Sequence, residues 1–160
     1  MKKIEFSTQA TKYDSYSELS ADDQRVMESA ITAKSEAYSP YSNFSVGAAI
    51  LMENGEIITG NNQENAAYPS GMCAERVAVW KAATMHPKMR MLTIAIAASS
   101  ATKVVDRPVG PCGACRQTLL EYEINQKEPV KMLFMGEKGA VVAVESIASL
   151  LPFNFDHTYL

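Results

Sequence analysis

The sequence predicts an α/β protein in which helices pack on a mixed β-sheet. Residues 45–53 and 56–59 are strand-like and flank Asn54-Gly55, a dipeptide typical of tight β-hairpins. After this hairpin, two helix-like segments alternate with two buried strand-like segments, and a short strand follows. A hairpin followed by helix, strand, helix and strand indicates a mixed sheet covered by helices.

The first predicted helix covers residues 22–37. Ser20 precedes Asp22 and Asp23, which is the pattern of a hydroxyl cap followed by acidic residues in the first helical turn. Apolar residues recur at helical spacing from Val26 onward and predict a face that packs on the sheet.

The other elements follow in order along the chain. A weak alternation over residues 2–12 indicates an edge strand, and a polar loop is predicted for residues 61–72. Further helices are predicted over residues 73–84, 113–123 and 146–151, and further strands over residues 91–99, 130–135 and 140–144.

The composition is that of a folded protein. The chain has 160 residues, 47% hydrophobic and 21% charged, which excludes wholesale disorder and predicts one domain over residues 1–160. A net charge of −3 argues against binding to bulk nucleic acid, whose phosphates are held by clustered Lys and Arg. No apolar run approaches the ~20 residues that cross a bilayer, and no secretory signal is evident. We therefore expect a cytoplasmic, soluble protein without a membrane partner.

Three cysteines form a candidate metal site. Cys73 begins one predicted helix, and Cys112 and Cys115 begin the next, so two helix N-termini can bring three sulfurs to one point. An odd number of cysteines is a poor disulfide framework. Catalytic zinc sites use three protein ligands and leave the fourth position for water. Because His86 and His157 are poorly placed to complete the set, the sequence predicts an open site for one Zn²⁺ per chain.

Charged residues adjoin each cysteine motif. Glu75 follows Cys73 by two residues, where a carboxylate beside a zinc-bound water can take its proton and return it elsewhere. Three thiolates around Zn²⁺ leave a charge of about −1. The helix N-termini offset part of this charge, and Arg76 and Arg116 are expected to donate hydrogen bonds to the sulfurs.

Some of these residues also have plainer interpretations. Cys112-x-x-Cys115 alone is as typical of a structural zinc knuckle or a redox pair as of a catalytic site. The addition of Cys73-Ala74-Glu75 and Pro111 favours catalytic zinc, because this is the pattern of zinc nucleobase deaminases. By spacing alone, Glu64 would be a solvated loop acid and Phe44 a core aromatic residue.

Four ordered motifs carry a more specific resemblance, which covers about residues 20–155. They are Tyr38-Ser39-Pro40-Tyr41-Ser42-Asn43-Phe44-Ser45-Val46-Gly47-Ala48-Ala49, Asn62-Gln63-Glu64-Asn65-Ala66-Ala67-Tyr68, Cys73-Ala74-Glu75-Arg76 and Pro111-Cys112-Gly113-Ala114-Cys115-Arg116-Gln117. Leu150-Leu151-Pro152 and Phe155 add a C-terminal signature. Together they resemble the small, homotetrameric, all-cysteine class of cytidine deaminases.

This resemblance implies both a fold and a reaction. The fold would be a three-layer α/β/α sandwich with a mixed sheet of about five strands. The reaction would be hydrolysis of cytidine and deoxycytidine to the uridine forms with release of ammonia, as in pyrimidine salvage. By position, Cys73, Cys112 and Cys115 would bind zinc, and Glu75 would move protons from the zinc water to N3 and the departing amine.

The resemblance also implies which residues contact the nucleoside and how the subunits associate. Asn62 and Glu64 would hydrogen-bond the ribose 3′-hydroxyl, and Phe44 would stack near the base. Residues 66–68 would lie near a neighbour's active site in a homotetramer, and Phe155 would reach a site in its own or a neighbouring subunit. The implied substrate-binding set is Phe44, Asn62, Glu64, Ala66, Tyr68, Ala74 and Phe155.

Two departures from the family pattern and three alternatives remain. Residues 1–20 form an N-terminal extension, and the loop at residues 68–72 differs from the usual sequence, which leaves the substrate preference open. One alternative is a deaminase of a modified nucleoside. Another is a structural or redox zinc protein, which predicts a closed four-ligand site and indifference to Glu75→Gln. The third, a nucleic-acid editor, is disfavoured by the net charge of −3.

Overall fold

The computed structural model describes residues 1–160 and contains one mixed sheet of six strands with three α-helices. The strands lie in the order β1-β6-β5-β4-β2-β3, with β4 and β5 parallel and the other neighbours antiparallel. The strands are β1 (Thr11–Tyr13), β2 (Phe44–Met52), β3 (Ile57–Asn61), β4 (Met91–Ser100), β5 (Lys131–Met135) and β6 (Val141–Val144). The helices are α1 (Ala21–Lys34), α2 (Ala74–Met85) and α3 (Gly113–Gln126). Short 3-10 helices cover Tyr16–Glu18, Tyr68–Ser70, Ile147–Leu150 and His157–Tyr159.

The predicted α/β class and the three layers are confirmed. Successive residues of the central strands face opposite sides, so Ala49 and Leu51 of β2 pack with α1, whereas Ile50 and Met52 pack with α2 and α3. The α1 side also buries Val26, Met27, Ala30, Ala95, Ala97 and Leu133, and the other side buries Ala78, Val79, Ala82, Ile94, Ile96, Leu119 and Leu120. Both faces of the sheet are therefore covered, and its central strands are mostly apolar.

Local signals set the start of α1 and the hairpin turn. The Ser20 hydroxyl accepts a hydrogen bond from the Asp23 amide at 3.2 Å, as the predicted cap requires. In the turn between β2 and β3, Gly55 adopts φ +85°, which glycine does without a steric penalty. The Asn54 side chain accepts from the Glu56 amide at 3.0 Å. This wider turn ends β2 at Met52, one residue earlier than predicted.

Two glycines let the helices approach the sheet closely. A Cβ at Gly47 would lie 2.0 Å from the carbonyl oxygen of Ala30 in α1. A Cβ at Gly60 would lie 2.5 Å from the amide nitrogen of Ala78 in α2. The helices therefore rest directly on the backbone of β2 and β3.

The order of the elements brings the N-termini of α2 and α3 together. Residues 86–90 reverse the chain between α2 and β4, so α2 begins near the end of the sheet where β4 finishes. The chain leaves β4 at that same end, forms α3 and returns as the parallel strand β5. Each helix begins directly after a cysteine, Cys73 for α2 and Cys112 for α3.

The N-terminal extension contributes the sixth strand, whereas about five were expected. The strand lies at the end of the weakly alternating segment 2–12, and Thr11–Tyr13 pair with Val141–Ala143 at the edge of the sheet. Tyr13 and Tyr16 pack against the cluster on the α1 side. None of the helices combines the length and hydropathy that a membrane span requires.

Candidate metal centre

Three sulfur atoms converge where α2 and α3 begin. Cys73 Sγ lies 4.0 Å from Cys112 Sγ, and Cys112 Sγ lies 3.5 Å from Cys115 Sγ. All three sulfurs lie within 4.8 Å of one another, and no disulfide joins them. In a tetrahedral zinc site with Zn–S bonds of about 2.3 Å, neighbouring sulfurs stand about 3.8 Å apart. The three cysteines could therefore bind one metal ion per chain.

The pKa values of Cys73 and Cys115 shift in opposite directions. The pKa of Cys73 is lowered to about 5, because its thiolate accepts hydrogen bonds from the Cys115 thiol and from Arg76. The pKa of Cys115 is raised by the same hydrogen bond with Cys73 and by burial. One proton-donating thiol and one thiolate thus stabilise each other. A divalent cation would replace the shared protons, since thiolate is the form of cysteine that binds metals.

The two arginines have different partners. Arg76 donates from Nη2 to Cys73 Sγ at 3.6 Å, as expected, and stacks 6.0 Å above the Trp80 ring. Arg116 forms no hydrogen bond to a sulfur. It donates instead from Nε to the carbonyl of Pro111 and from Nη1 to the carbonyl of Leu150, both at 2.9 Å. These two carbonyls accept hydrogen bonds from the Arg116 guanidinium. Arg116 therefore contacts the backbone of the residues around the start of α3, and not a cysteine sulfur.

Glu75 lies in the first turn of α2 and is only 5% exposed. Burial raises the pKa of its carboxyl, and the charge on Cys73 adds to the shift. The carboxyl lines the same cavity as Cys73 and Cys112. A buried acid with a raised pKa can both hold and release a proton at this position.

Cys73 and Cys112 line a cavity of about 590 Å³, a size typical of small-molecule sites. Its apolar lining includes Val46, Met72, Ile96 and Val109. Its polar lining includes Tyr41, Ser42, Asn62, Gln63, Glu64, Asn65, Tyr68, Glu75 and Arg76. The cavity therefore offers both apolar surface and hydrogen-bonding groups to a ligand.

Asn62 links the cavity to strand β2. Its Oδ1 accepts from the Val46 amide at 2.8 Å, and its Nδ2 donates to the Phe44 carbonyl at 2.9 Å. Each polar atom keeps one further hydrogen-bonding position, because an amide nitrogen has two donors and an amide oxygen two lone pairs. Asn62 is thus held rigidly and can still bind a ligand.

Glu64 is held by the loop that precedes β2. Its Oε2 accepts from the amides of Tyr41 at 2.9 Å and Ser42 at 3.2 Å. The pKa of the carboxyl is lowered chiefly by its hydrogen bond with the Ser42 side chain. The carboxylate is therefore an acceptor, and Oε1 remains available for a ligand hydroxyl.

Of the other residues predicted to bind the substrate, some line the cavity and some do not. Ala74 and Tyr68 line the cavity, whereas Phe44, Ala66 and Phe155 do not line it within one chain. The Phe155 ring stacks on Tyr159 with centroids 5.6 Å apart and is 57% exposed.

Val46 is an apolar lining residue that the sequence analysis did not single out. It lies two positions after Phe44 in β2, so both side chains share one face of the sheet. The alternation of side chains between the two faces of β2 could have identified Val46 from the sequence.

Comparison with known proteins gives one consistent family. The family model described as the cytidine and deoxycytidylate deaminase zinc-binding region matches residues 20–128. A cytidine deaminase of Halalkalibacterium halodurans is 49% identical over 134 residues, which are 84% of this chain and 94% of that protein. A cytidine deaminase of Sporosarcina psychrophila is 41% identical over 77% of this chain and 83% of its own length.

Solved structures agree with the sequence comparisons. The crystal structure of cytidine deaminase from Burkholderia pseudomallei superimposes with a TM-score of 0.71 at 35% identity, over 82% of this chain and 97% of that one. Cytidine deaminase from Mycobacterium tuberculosis gives a TM-score of 0.61 at 31% identity, over 82% of this chain and 94% of that one. The matched region contains all three cysteines and Glu75. This chain therefore belongs to the cytidine and deoxycytidylate deaminase family.

Proposed function

We propose that this protein is a zinc-dependent hydrolase that converts cytidine and deoxycytidine to uridine and deoxyuridine with release of ammonia. The observation that carries the proposal is that Glu75 lines one cavity together with Cys73 and Cys112, two of the three cysteines whose sulfurs converge. Relatives that are named cytidine deaminases support the substrate class. The cavity is large enough for one nucleoside and combines an apolar lining with polar groups such as Asn62 and Glu64, which suits a small-molecule substrate.

Cys73, Cys112 and Cys115 would hold the metal. Bound zinc supplies Lewis acidity, which lowers the pKa of water toward neutrality. The cysteines belong to two helices, so metal binding would also fasten the start of α2 to the start of α3. Arg76 stabilises thiolate at Cys73 and limits the electron density that the sulfurs donate.

Glu75 would carry the protons of the reaction. The oxygen of water bonds to C4 of the base while one proton of that water passes through Glu75 to N3. The second proton then passes to the exocyclic amine, the C4–N bond breaks and ammonia leaves, while C4 keeps the oxygen as a carbonyl. The raised pKa of Glu75 suits this alternation, since a carboxyl that both takes and gives a proton works best near the operating pH.

Asn62 and Glu64 would recognise the sugar. The Glu64 carboxylate and the Asn62 amide nitrogen, both held by backbone groups near β2, can accept from and donate to a ribose 3′-hydroxyl. A free base would leave these desolvated groups unpaired, which costs binding energy and selects for the nucleoside. Ala74 lines the cavity and would contact the base from the start of α2, whereas Phe44 lies outside the lining of the cavity within one chain.

We further propose that four copies assemble with their sites near the interfaces. Tyr68 lines the cavity and is exposed, and Phe155 is also exposed, so a neighbouring chain could cover both aromatic rings. Ala66 is exposed in the same loop as Tyr68. Free thiols as metal ligands suit a reducing compartment, which supports a cytoplasmic role in pyrimidine salvage.

The test is the loss of cytidine absorbance on incubation with the purified protein. We expect turnover of cytidine and deoxycytidine, its loss after zinc chelation and its return on adding zinc. A panel with free cytosine and base-modified nucleosides separates cytidine deamination from the modified-nucleoside alternative. No turnover of cytidine by the zinc-loaded protein would refute the proposal.

A further inference from the structure

The N-terminal segment before α1 follows the C-terminal part of the chain. Strand β1 pairs antiparallel with β6, with Thr11 opposite Ala143. Toward the N-terminus, the Thr8 hydroxyl donates to the Ser149 carbonyl at 2.6 Å. Still further toward the N-terminus, the Phe6 ring lies 4.4 Å, centroid to centroid, from the Phe153 ring. The two segments therefore run side by side from β6 to residue 153, and this N-terminal part lies outside the family match at residues 20–128.

The C-terminal segment, residues 149–156, is also hydrogen-bonded to α3. Arg116 donates to the Leu150 carbonyl at 2.9 Å, and Gln117 donates to the Phe155 carbonyl at 2.8 Å. Both residues lie in the first two turns of α3, directly after Cys115. The C-terminal segment is thus placed between the N-terminal segment and the helix that carries two of the three cysteines.

Residues 152–156 have little structure of their own. Pro152 has no amide hydrogen, and the amides of residues 153–156 donate no hydrogen bond. Phe153 also adopts φ +55°, a left-handed conformation that is unfavourable for an aromatic residue. The path of this segment therefore depends on side-chain contacts, in which Phe6 packs on Phe153 and Gln117 of α3 donates to the Phe155 carbonyl. Thr8 holds the chain at Ser149, just before the segment.

We infer that residues 6–13 form a brace that holds the C-terminal segment against α3, with Phe6 and Thr8 as positioning residues for Phe155. This inference rests on the proposed function insofar as Phe155 serves nucleoside binding. Without the brace, the C-terminal segment would move more freely, and a smaller fraction of the molecules would hold Phe155 in the position that binds the nucleoside. Because the cysteines and Glu75 are held by α2, α3 and the sheet, the metal site and the chemical step keep their geometry. The brace therefore acts on KM more than on kcat.

Matched variants separate the brace from a general effect on stability. Thr8→Val removes the hydroxyl at nearly constant volume, whereas Thr8→Ser keeps the donor. Phe6→Ala removes the ring, and Ile4→Ala is the control, because Ile4 is 72% exposed in the same segment. Each variant is loaded with zinc, and its metal content is measured. Hydrogen exchange at residues 147–151, where the amides of Ile147, Ala148 and Leu151 are hydrogen-bonded, and the KM and kcat for cytidine are then compared.

A hydrogen bond of this kind shifts a local opening equilibrium by roughly two- to tenfold. We expect Thr8→Val and Phe6→Ala to accelerate amide exchange over residues 147–151 by about that factor and to raise KM by a similar factor, with kcat within about twofold and zinc retained. Thr8→Ser and Ile4→Ala should match the wild type.

If neither Thr8→Val nor Phe6→Ala changes the rate of amide hydrogen exchange, the inference that residues 6–13 brace the C-terminal segment is wrong. Faster exchange without a rise in KM would overturn the positioning role. A zinc-loaded wild type that deaminates no nucleoside would refute the proposed function, and the exchange comparison would still decide whether the brace exists.

Discussion

Replacing Glu123 should destabilise the fold more than any other single carboxylate replacement. The Glu123 side chain lies in α3, and the residue is 6% exposed. It accepts hydrogen bonds from the amides of Val130 at 2.9 Å, Ile147 at 2.8 Å and Ala148 at 2.9 Å, and from the Ser146 hydroxyl at 2.8 Å. One carboxylate thus joins α3 to the start of β5 and to the 3-10 helix at Ile147–Leu150.

The expected loss follows from the donors that Glu123→Ala would leave unpaired. Val130 and Ile147 are almost fully buried, so water does not readily replace the carboxylate at their amides, whereas Ser146 and Ala148 are reached by solvent. Each buried unpaired donor costs about 1–3 kcal/mol, which gives a loss of roughly 2–6 kcal/mol in the free energy of unfolding. Glu123→Gln keeps one acceptor oxygen for these two amides and should lose only about 1–2 kcal/mol.

Urea unfolding of the zinc-loaded protein at one protein concentration measures these losses. Glu121→Ala is the control, because Glu121 lies on the same helix and is exposed, and its effect should stay within about 0.5 kcal/mol. A Glu123→Ala protein as stable as the control would show that the four hydrogen bonds do not hold the C-terminal elements to α3.

Three further perturbations test the packing, the buried ion pair and the metal ligands. Gly47→Ala places a methyl group 2.0 Å from the Ala30 carbonyl and should lower stability by about 3 kcal/mol or more, measured by thermal unfolding. Lys131→Met leaves Asp23 nearly buried without its partner at 2.6 Å and should cost about 1–3 kcal/mol at pH 7. Burial lowers the pKa of Lys131, but the hydrogen bond to Asp23 and the nearby negative charges of Asp23 and Glu145 together raise it above its usual value. The stabilisation that comes from charged Lys131 is therefore complete below about pH 10 and is lost as the pH rises through the raised pKa. Cys112→Ser should reduce bound zinc well below one ion per chain and lower the unfolding temperature, because zinc joins α2 and α3.

Each of these results has a matched comparison. Gly55→Ala meets no atom within 4 Å and strains only the positive φ, so a Gly47→Ala loss no larger than that of Gly55→Ala would contradict the close approach of α1. Lys138→Met removes an exposed lysine from the turn between β5 and β6, and an equal effect at Lys131 would contradict the ion pair. Full zinc content in Cys112→Ser would contradict the three-sulfur site.

The predictable parts of this structure rest on local signals. Ser20 caps α1 because a hydroxyl before acidic residues is a short-range pattern, and Cys73 and Cys112 begin helices because turn residues precede them. Two helices on the same side of a βαβ arrangement place their N-termini at one end of the sheet, so the convergence of the three cysteines follows from element order.

The parts that sequence reasoning missed depend on long-range contacts. The partners of Arg116 include the Leu150 carbonyl, 34 residues further on, and no local pattern distinguishes that acceptor from a sulfur. Strand β1 has only three residues and gains its place from pairing with β6, far along the chain. Glu123 likewise looks like a surface charge on a helix until the 3-10 helix folds over it.

The most direct test of the central claim is a paired measurement on Glu75→Gln: zinc per chain by elemental analysis and cytidine turnover on the same sample. The variant keeps the volume of the side chain and all three sulfurs, so about one zinc per chain should remain. Turnover should fall by at least about 10²-fold, because the amide cannot carry the two protons of the reaction. A zinc-loaded variant that deaminates cytidine at a rate close to wild type would contradict the claim.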